Sequence, residues 1–141
     1  MKILTAMDGT KHSWSTLDKA IAYSKALDAE LTVIGIVENE PLFITSAPYN
    51  SIVENYKESM VKVATDVLEN AKKYCSEKGV KVETKLEYGA PAEVICSTAD
   101  DGGFDLLVVG HSGAGRLEEF FLGSISNKIA HCVKTNVLIV K

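Results

Sequence analysis

Four of the ten glycines in this 141-residue sequence fall between positions 110 and 123. They stand as Gly110-His-Ser-Gly113-Ala-Gly115-Arg116 and then as the pair Gly123-Ser124. Glycine lets backbone N–H groups approach an oxyanion closely and adopt the positive φ angles of an anion-cradling nest. A Gly-Ser pair opening a helix adds unpaired N–H donors, the positive end of the helix dipole and a hydroxyl. Taken singly, each of these residues is an ordinary turn or cap former. Clustered after one apolar run and returning at a helix start, they point to a held phosphate. Between Gly110 and Asn136 the charges are Arg116, Lys128 and Lys134 against Glu118 and Glu119, three minus two, a net of +1. Amides and hydroxyls, rather than lysine, would therefore carry the anion. A second loop, Asp8-Gly9-Thr10, ends the first apolar run and supplies a carboxylate beside a tight turn.

The elements that must position these loops alternate. Ile3–Met7, Leu31–Val37, Asp105–Gly110 and Val137–Val140 are short, apolar runs suited to strands covered on both faces. Val80–Glu87 alternates apolar with polar, as a half-exposed edge strand would. Between them lie helical periodicities. Trp14, Leu17, Ile21, Ser24 and Leu27 or Asp28 mark the first. Ile52 or Val53, Tyr56, Met60, Val63, Val67, Ala71 and Tyr74 mark a second of about 26 residues, with a capping box Ser51-x-x-Glu54 and Gly79 as its terminating glycine. Pro91 suits the first turn of a third helix that turns Val94, Ile95 and Thr98 inward. The fourth begins near Ser124 and is expected to bury Ile125, Ile129 and Cys132. This β-α-β-α-β-α-β-α-β order calls for right-handed crossovers and one open five-stranded parallel sheet with helices on both faces, a single-domain, Rossmann-like α/β fold. In such sheets ligands bind beyond the carboxyl ends of the strands, where strand order reverses. The one long loop, 38–50, carries Pro41 and Pro48 and reads as a lid or interaction surface.

Composition narrows the function. Hydrophobic residues make up 46% and charged residues 24%, the profile of a globular domain. A formal charge of −4 provides no basic stripe, which argues against nucleic acid or anionic lipid as partner. The apolar runs fall far short of the ~20 residues of a membrane span, and no leader pattern precedes Asp8. The three cysteines, Cys75, Cys96 and Cys132, lie among apolar neighbours and read as buried thiols of a cytoplasmic protein, not as a disulfide or zinc set.

Competing motifs fail at particular residues. Gly110-x4-Gly115-Arg116-Leu117 has the glycine spacing of a P-loop, but arginine and leucine replace the lysine and the metal-binding hydroxyl. No Gly-x-Gly-x-x-Gly follows the first strand, against a dinucleotide fold. A flavodoxin-like or receiver domain without ATP would need a hydroxyl-rich loop or an acidic pair there, and Asp8 stands alone.

The spacing Gly110-x2-Gly113-x9-Gly123-Ser124 resembles the nucleotide-binding signature of the ATP-binding subgroup of the universal stress protein family. The tail from Gly123 to Val140 resembles that family's closing helix and strand, and Ile3 to Thr10 its first strand and turn. The likeness spans residues 1–141 as one universal stress protein domain; Ala6 departs from the proline or valine many members carry, at a position met through its backbone. The resemblance implies strand order 3-2-1-4-5, an adenine nucleotide α-hydrolase-like arrangement. It implies ATP (or AMP or ADP) as ligand, with Mg2+ held through the phosphates. Asp8 and Ile36 would meet adenine, and Ala6 would border ribose. Val109 and Gly110 would border ribose and the first phosphate, while Gly113, Gly123, Ser124, Ile125 and Ser126 would hold phosphates. His111 and Arg116 are further candidates for phosphate contact. A homodimer through the edge strand Val137–Val140 is implied, as is a stress-response role as a nucleotide-dependent signalling or interaction module. No candidate nucleophile-activating group is better than His111 or a water on the metal, so no catalytic residue is assigned; the alternatives are a slow Mg-dependent ATPase, or a flavodoxin- or receiver-like signalling domain without ATP binding.

Overall fold

The computed structural model describes residues 1–38, 49–111 and 122–141. The elements are β1 (Lys2–Ala6), α1 (Lys11–Leu27), β2 (Glu30–Val37), α2 (Tyr49–Glu77), β3 (Val82–Tyr88), α3 (Pro91–Asp101), β4 (Leu106–Gly110), α4 (Ser124–Cys132) and β5 (Asn136–Val140). The strands form one sheet in the order β3-β2-β1-β4-β5, every neighbouring pair parallel. This is the expected five-stranded α/β arrangement.

Side chains alternate between the sheet's two faces, and each face has its own core. Ile3, Met7, Leu31, Val33 and Val108 join Leu17, Ile21, Leu68, Ala71 and Cys75 of α1 and α2. Leu4, Ile34, Leu107 and Val109 join Ala92, Ile95, Ala99 and Ile129 of α3 and α4. Burying each large aliphatic side chain contributes ~1.5–3 kcal/mol, so both faces are needed to hold the sheet. Edge position explains β3, whose central residues are only half-buried.

Several inward assignments are corrected. Leu27, Tyr56, Val63 and Ile125 are 44%, 44%, 53% and 42% exposed. For Tyr56 and Val63 the cause is a phase error: α2 runs 29 residues, and its buried stripe passes through Val53, Leu68, Ala71 and Cys75. The helix starts at Tyr49, so Ser51 lies within it and the 51–54 capping box does not mark its start. Residues 39–48 of the expected long loop lie outside the described residues. At the other end Gly79, at φ 74°, closes the helix as expected, with its N–H on the Ser76 carbonyl and Val80 N–H on Cys75. Trp14 is partly covered, edge-on to Tyr74 with ring centres 5.5 Å apart.

The cysteine reading is also overturned. Cys96 of α3 and Cys132 of α4 form a disulfide, with Cα atoms 6.2 Å apart, and only Cys75 is a free, buried thiol. The two cysteines are 36 residues apart in sequence, and they meet because α3 and α4 pack directly against each other on one face of the sheet.

Asp100, near the end of α3, joins it to the turn before β5. Its carboxylate accepts from Thr135 N–H and Oγ1, both 2.9 Å, and from Lys134 N–H at 3.0 Å. These bonds, the Thr135 amide foremost, hold its pKa below the usual 3.8. A depressed carboxylate pKa stabilises the fold above the unfolded value, and that stabilisation fades as pH falls through the folded value. Asp100→Asn should therefore melt below the parent at pH 7, with the gap closing below pH ~3.8; melting curves across pH 2–7 test this, and a pH-independent gap contradicts it.

Candidate functional site

β1 and β4 stand side by side where strand order reverses, but their ladder is short. It runs from Ile3–Leu106 to Thr5–Val108 and stops. The outer ladders continue, Ala6 with Ile34 on one side and Gly110 with Val140 on the other. The buried Thr5 hydroxyl donates to the Val108 carbonyl at 2.9 Å and fastens the last rung. Past it the strands leave a cavity of about 200 Å³. Ala6, Asp8, Ile36, Val109, Gly110, Ile125 and Ser126 all line it, so residues from four separate stretches of sequence converge there.

Its floor turn depends on Gly9, whose φ of 83° suits glycine and whose added Cβ would sit 2.9 Å from Val67 Cγ2. Gly9→Ala should lower stability by ~1–2 kcal/mol from the left-handed backbone alone, read as a drop in the denaturation midpoint; an unchanged midpoint contradicts the strain. Asp8 Oδ1 accepts from Thr10 N–H at 2.9 Å and Thr10 Oγ1 at 2.6 Å, which fixes the carboxylate at the cavity wall.

The ends of the glycine-rich segment are tied together. His111 N–H donates to Val140 O at 2.7 Å, and Gly123 N–H donates back to His111 O at 2.9 Å. Ser126 Oγ donates to Gly110 O at 2.5 Å. The N-terminus of α4 is thus pinned against the end of β4, with Ser124 exposed at its first turn. Two details refine the sequence reading. Gly123 has φ −55°, so its value there is a missing side chain rather than a left-handed backbone. Ser126 gives its hydroxyl proton to Gly110, which leaves the oxygen's lone pairs rather than a donor. Gly113 and Arg116 lie outside the described residues.

Thr10 of the first loop lines the cavity too, and sequence reasoning did not assign to it His12, Ser13 and Thr16 on α1, Glu38 after β2, or Pro91 and Ile95 on α3, all of which line it. The available signal was the three-residue recurrence of hydroxyls at Thr10, Ser13 and Thr16 among otherwise aliphatic inward positions. Ser13 and Thr16 Oγ donate to Thr10 and His12 carbonyls, both at 2.8 Å, which lets them sit buried. A larger open depression of about 990 Å³ lies along α2, near Val37 and Tyr88, and shares Glu38 with the first cavity.

A family model described as the universal stress protein family matches residues 1–141. The chain belongs to that family. The universal stress protein YxiE of Bacillus subtilis is 34% identical over 147 residues, covering 99% of this chain and 98% of that protein. Universal stress protein UspA from Lactobacillus plantarum superposes with a TM-score of 0.88 over 100% of this chain and 97% of its own, at 17% identity, a likeness of fold. A universal stress protein solved in complex with cAMP superposes with a TM-score of 0.75 at 26% identity, covering 100% of this chain and 97% of its own. The parallel five-stranded sheet in the order β3-β2-β1-β4-β5 with its four helices is the universal stress protein fold.

Proposed function

We propose that this universal stress protein binds ATP, with AMP or ADP as related ligands, in the crevice between β1 and β4, and acts as a nucleotide-dependent signalling or interaction module. The observation that carries the reading is the junction of Gly110 with the start of α4 beside a cavity walled by Asp8 and Ile36. The related protein bound to cAMP supports an adenylate as the ligand class. A cavity of about 200 Å³ is smaller than the ~300–1,000 Å³ usual for ligand pockets, so it suits the nucleoside end. In this reading Asp8 and Ile36 face adenine, and Ala6 and Val109 flank ribose. Gly110, Gly113, Gly123, Ser124, Ile125 and Ser126 follow the phosphates, with His111 and Arg116 within the same loop. Charge-assisted hydrogen bonds contribute ~1.5–3 kcal/mol each, and micromolar affinity needs ~8 kcal/mol net. Four or five amide contacts with adenine burial reach that range.

In this reading Mg2+ is carried on the phosphates themselves. On the same reading hydrolysis is slow or absent, with His111 or a water on the metal the best candidate the sequence offers for activating a nucleophile. The reading assigns the chain to the cytoplasm as one domain over 1–141, and to a homodimer through β5. That strand is paired by β4 along one edge, and its four apolar residues remain half-buried.

The deciding experiment is release of nucleotide. Protein purified without added ligand should give up ATP or AMP on denaturation, or bind added ATP by calorimetry. The absence of both release and binding overturns the reading, and a steady-state turnover above about one per second overturns the non-enzymatic part. A monomer by light scattering at micromolar concentration overturns the dimer.

A further inference from the structure

The Cys96–Cys132 bond joins the two helices that form one wall of the crevice. α3 gives Pro91 and Ile95 to that wall, and α4 gives Ser126 and Ile129. α4 has only nine residues, below the ~12–15 at which a helix holds itself in water. Its position therefore rests on ties to its surroundings: Ile129 in the core, the Ser126 bond at its N-terminal end, and the disulfide at its C-terminal end. We propose that the Cys96–Cys132 pair is a redox-responsive clasp, which holds α4 in the geometry that grips phosphate when bridged and loosens it when reduced.

The inference rests on the nucleotide reading above. Access favours the exchange. Cys132 is exposed at the helix end, whereas Cys96 is 6% exposed beneath it. The thiolate of a dithiol reductant attacks Cys132 Sγ, the Cys96–Cys132 bond breaks, and Cys96 leaves as a thiolate that takes up a proton. The reductant's second thiol then attacks the mixed disulfide, and Cys132 leaves and is protonated. Two electrons and two protons pass from the dithiol, which becomes a disulfide. Cys75 takes no part: it lies fully buried in the opposite core, where desolvation, aided by Asp18, pushes its thiol from 9.0 to about 11. In reducing compartments a disulfide of this kind is transient or sensing, which suits a stress protein.

The test uses the full chain, with ATP and magnesium as probe. Alkylation of denatured protein should label one cysteine in the oxidised form and three after dithiothreitol. Reduction should weaken ATP affinity about tenfold and accelerate amide exchange over residues 123–129, both reversed by reoxidation. The double variant Cys96→Ser, Cys132→Ser should match the reduced parent in either state. Three labelled cysteines before reduction, or unchanged exchange on reduction, overturns the clasp. Unchanged affinity with faster exchange overturns its link to the ligand. Failure of both forms to bind ATP overturns the nucleotide reading itself, and the link with it.

Discussion

Replacing Gly113 and Gly123 together by valine should weaken ATP binding by ~100-fold or more, about 2.7 kcal/mol, while the protein stays folded. The junction at Gly123 gives the reason. Its φ of −55° and ψ of 155° are open to any residue, so valine need not strain the backbone. A branched side chain at the cap of α4 would stand where amides must meet oxyanions, with Gly123 N–H itself engaged by His111. Valine caps a helix less well than glycine, so a stability loss of ~1 kcal/mol is expected alongside. Calorimetric titration together with a melting curve separates the two effects. Parental affinity in the folded variant contradicts the site.

The second large effect belongs to α4's anchor. Ile129 is 1% exposed and packs with Leu4, Leu107 and Ile95. Truncating a buried isoleucine to alanine destabilises by ~2–5 kcal/mol through lost transfer energy and the cavity left behind. Ile129→Ala should therefore lower the denaturant midpoint strongly and weaken ATP binding through misplacement of α4. Ile125, one turn earlier, is 42% exposed yet lines the crevice. Ile125→Ala should change stability by less than ~0.5 kcal/mol while reducing affinity. Equal stability losses in the two variants would contradict the described orientation of α4.

The same pair shows what was legible beforehand. Apolar runs at Ile3–Met7 and Leu31–Val37, followed by helical periodicities, led to the parallel sheet because few chains bury such runs otherwise. The glycine spacing drew attention to the junction at Gly110 and Gly123. Ile125 and Ile129 are equivalent in a four-residue periodicity, however, and only the depth of the sheet beneath α4 separates them. Tyr56 and Val63 are a related case: they lie off the stripe through Val53, Leu68, Ala71 and Cys75, and apolar spacing alone does not fix that phase over a 29-residue helix. The disulfide was hidden because pairing between elements 36 residues apart is a property of topology, not of spacing. Ser13 and Thr16 are not apparent as cavity residues because hydroxyls inside a helix read as surface until their back-bonding is seen.

The halted ladder between β1 and β4 makes the molecule two leaves, β3-β2-β1 and β4-β5, stitched by three rungs. An adenylate lodged in the gap would touch both leaves at once and serve as a fourth stitch. At one hundred times its Kd, a ligand adds about 2.7 kcal/mol to the folded state. Here that increment would fall on the seam, so a charged and an empty copy would differ chiefly in how readily the leaves part.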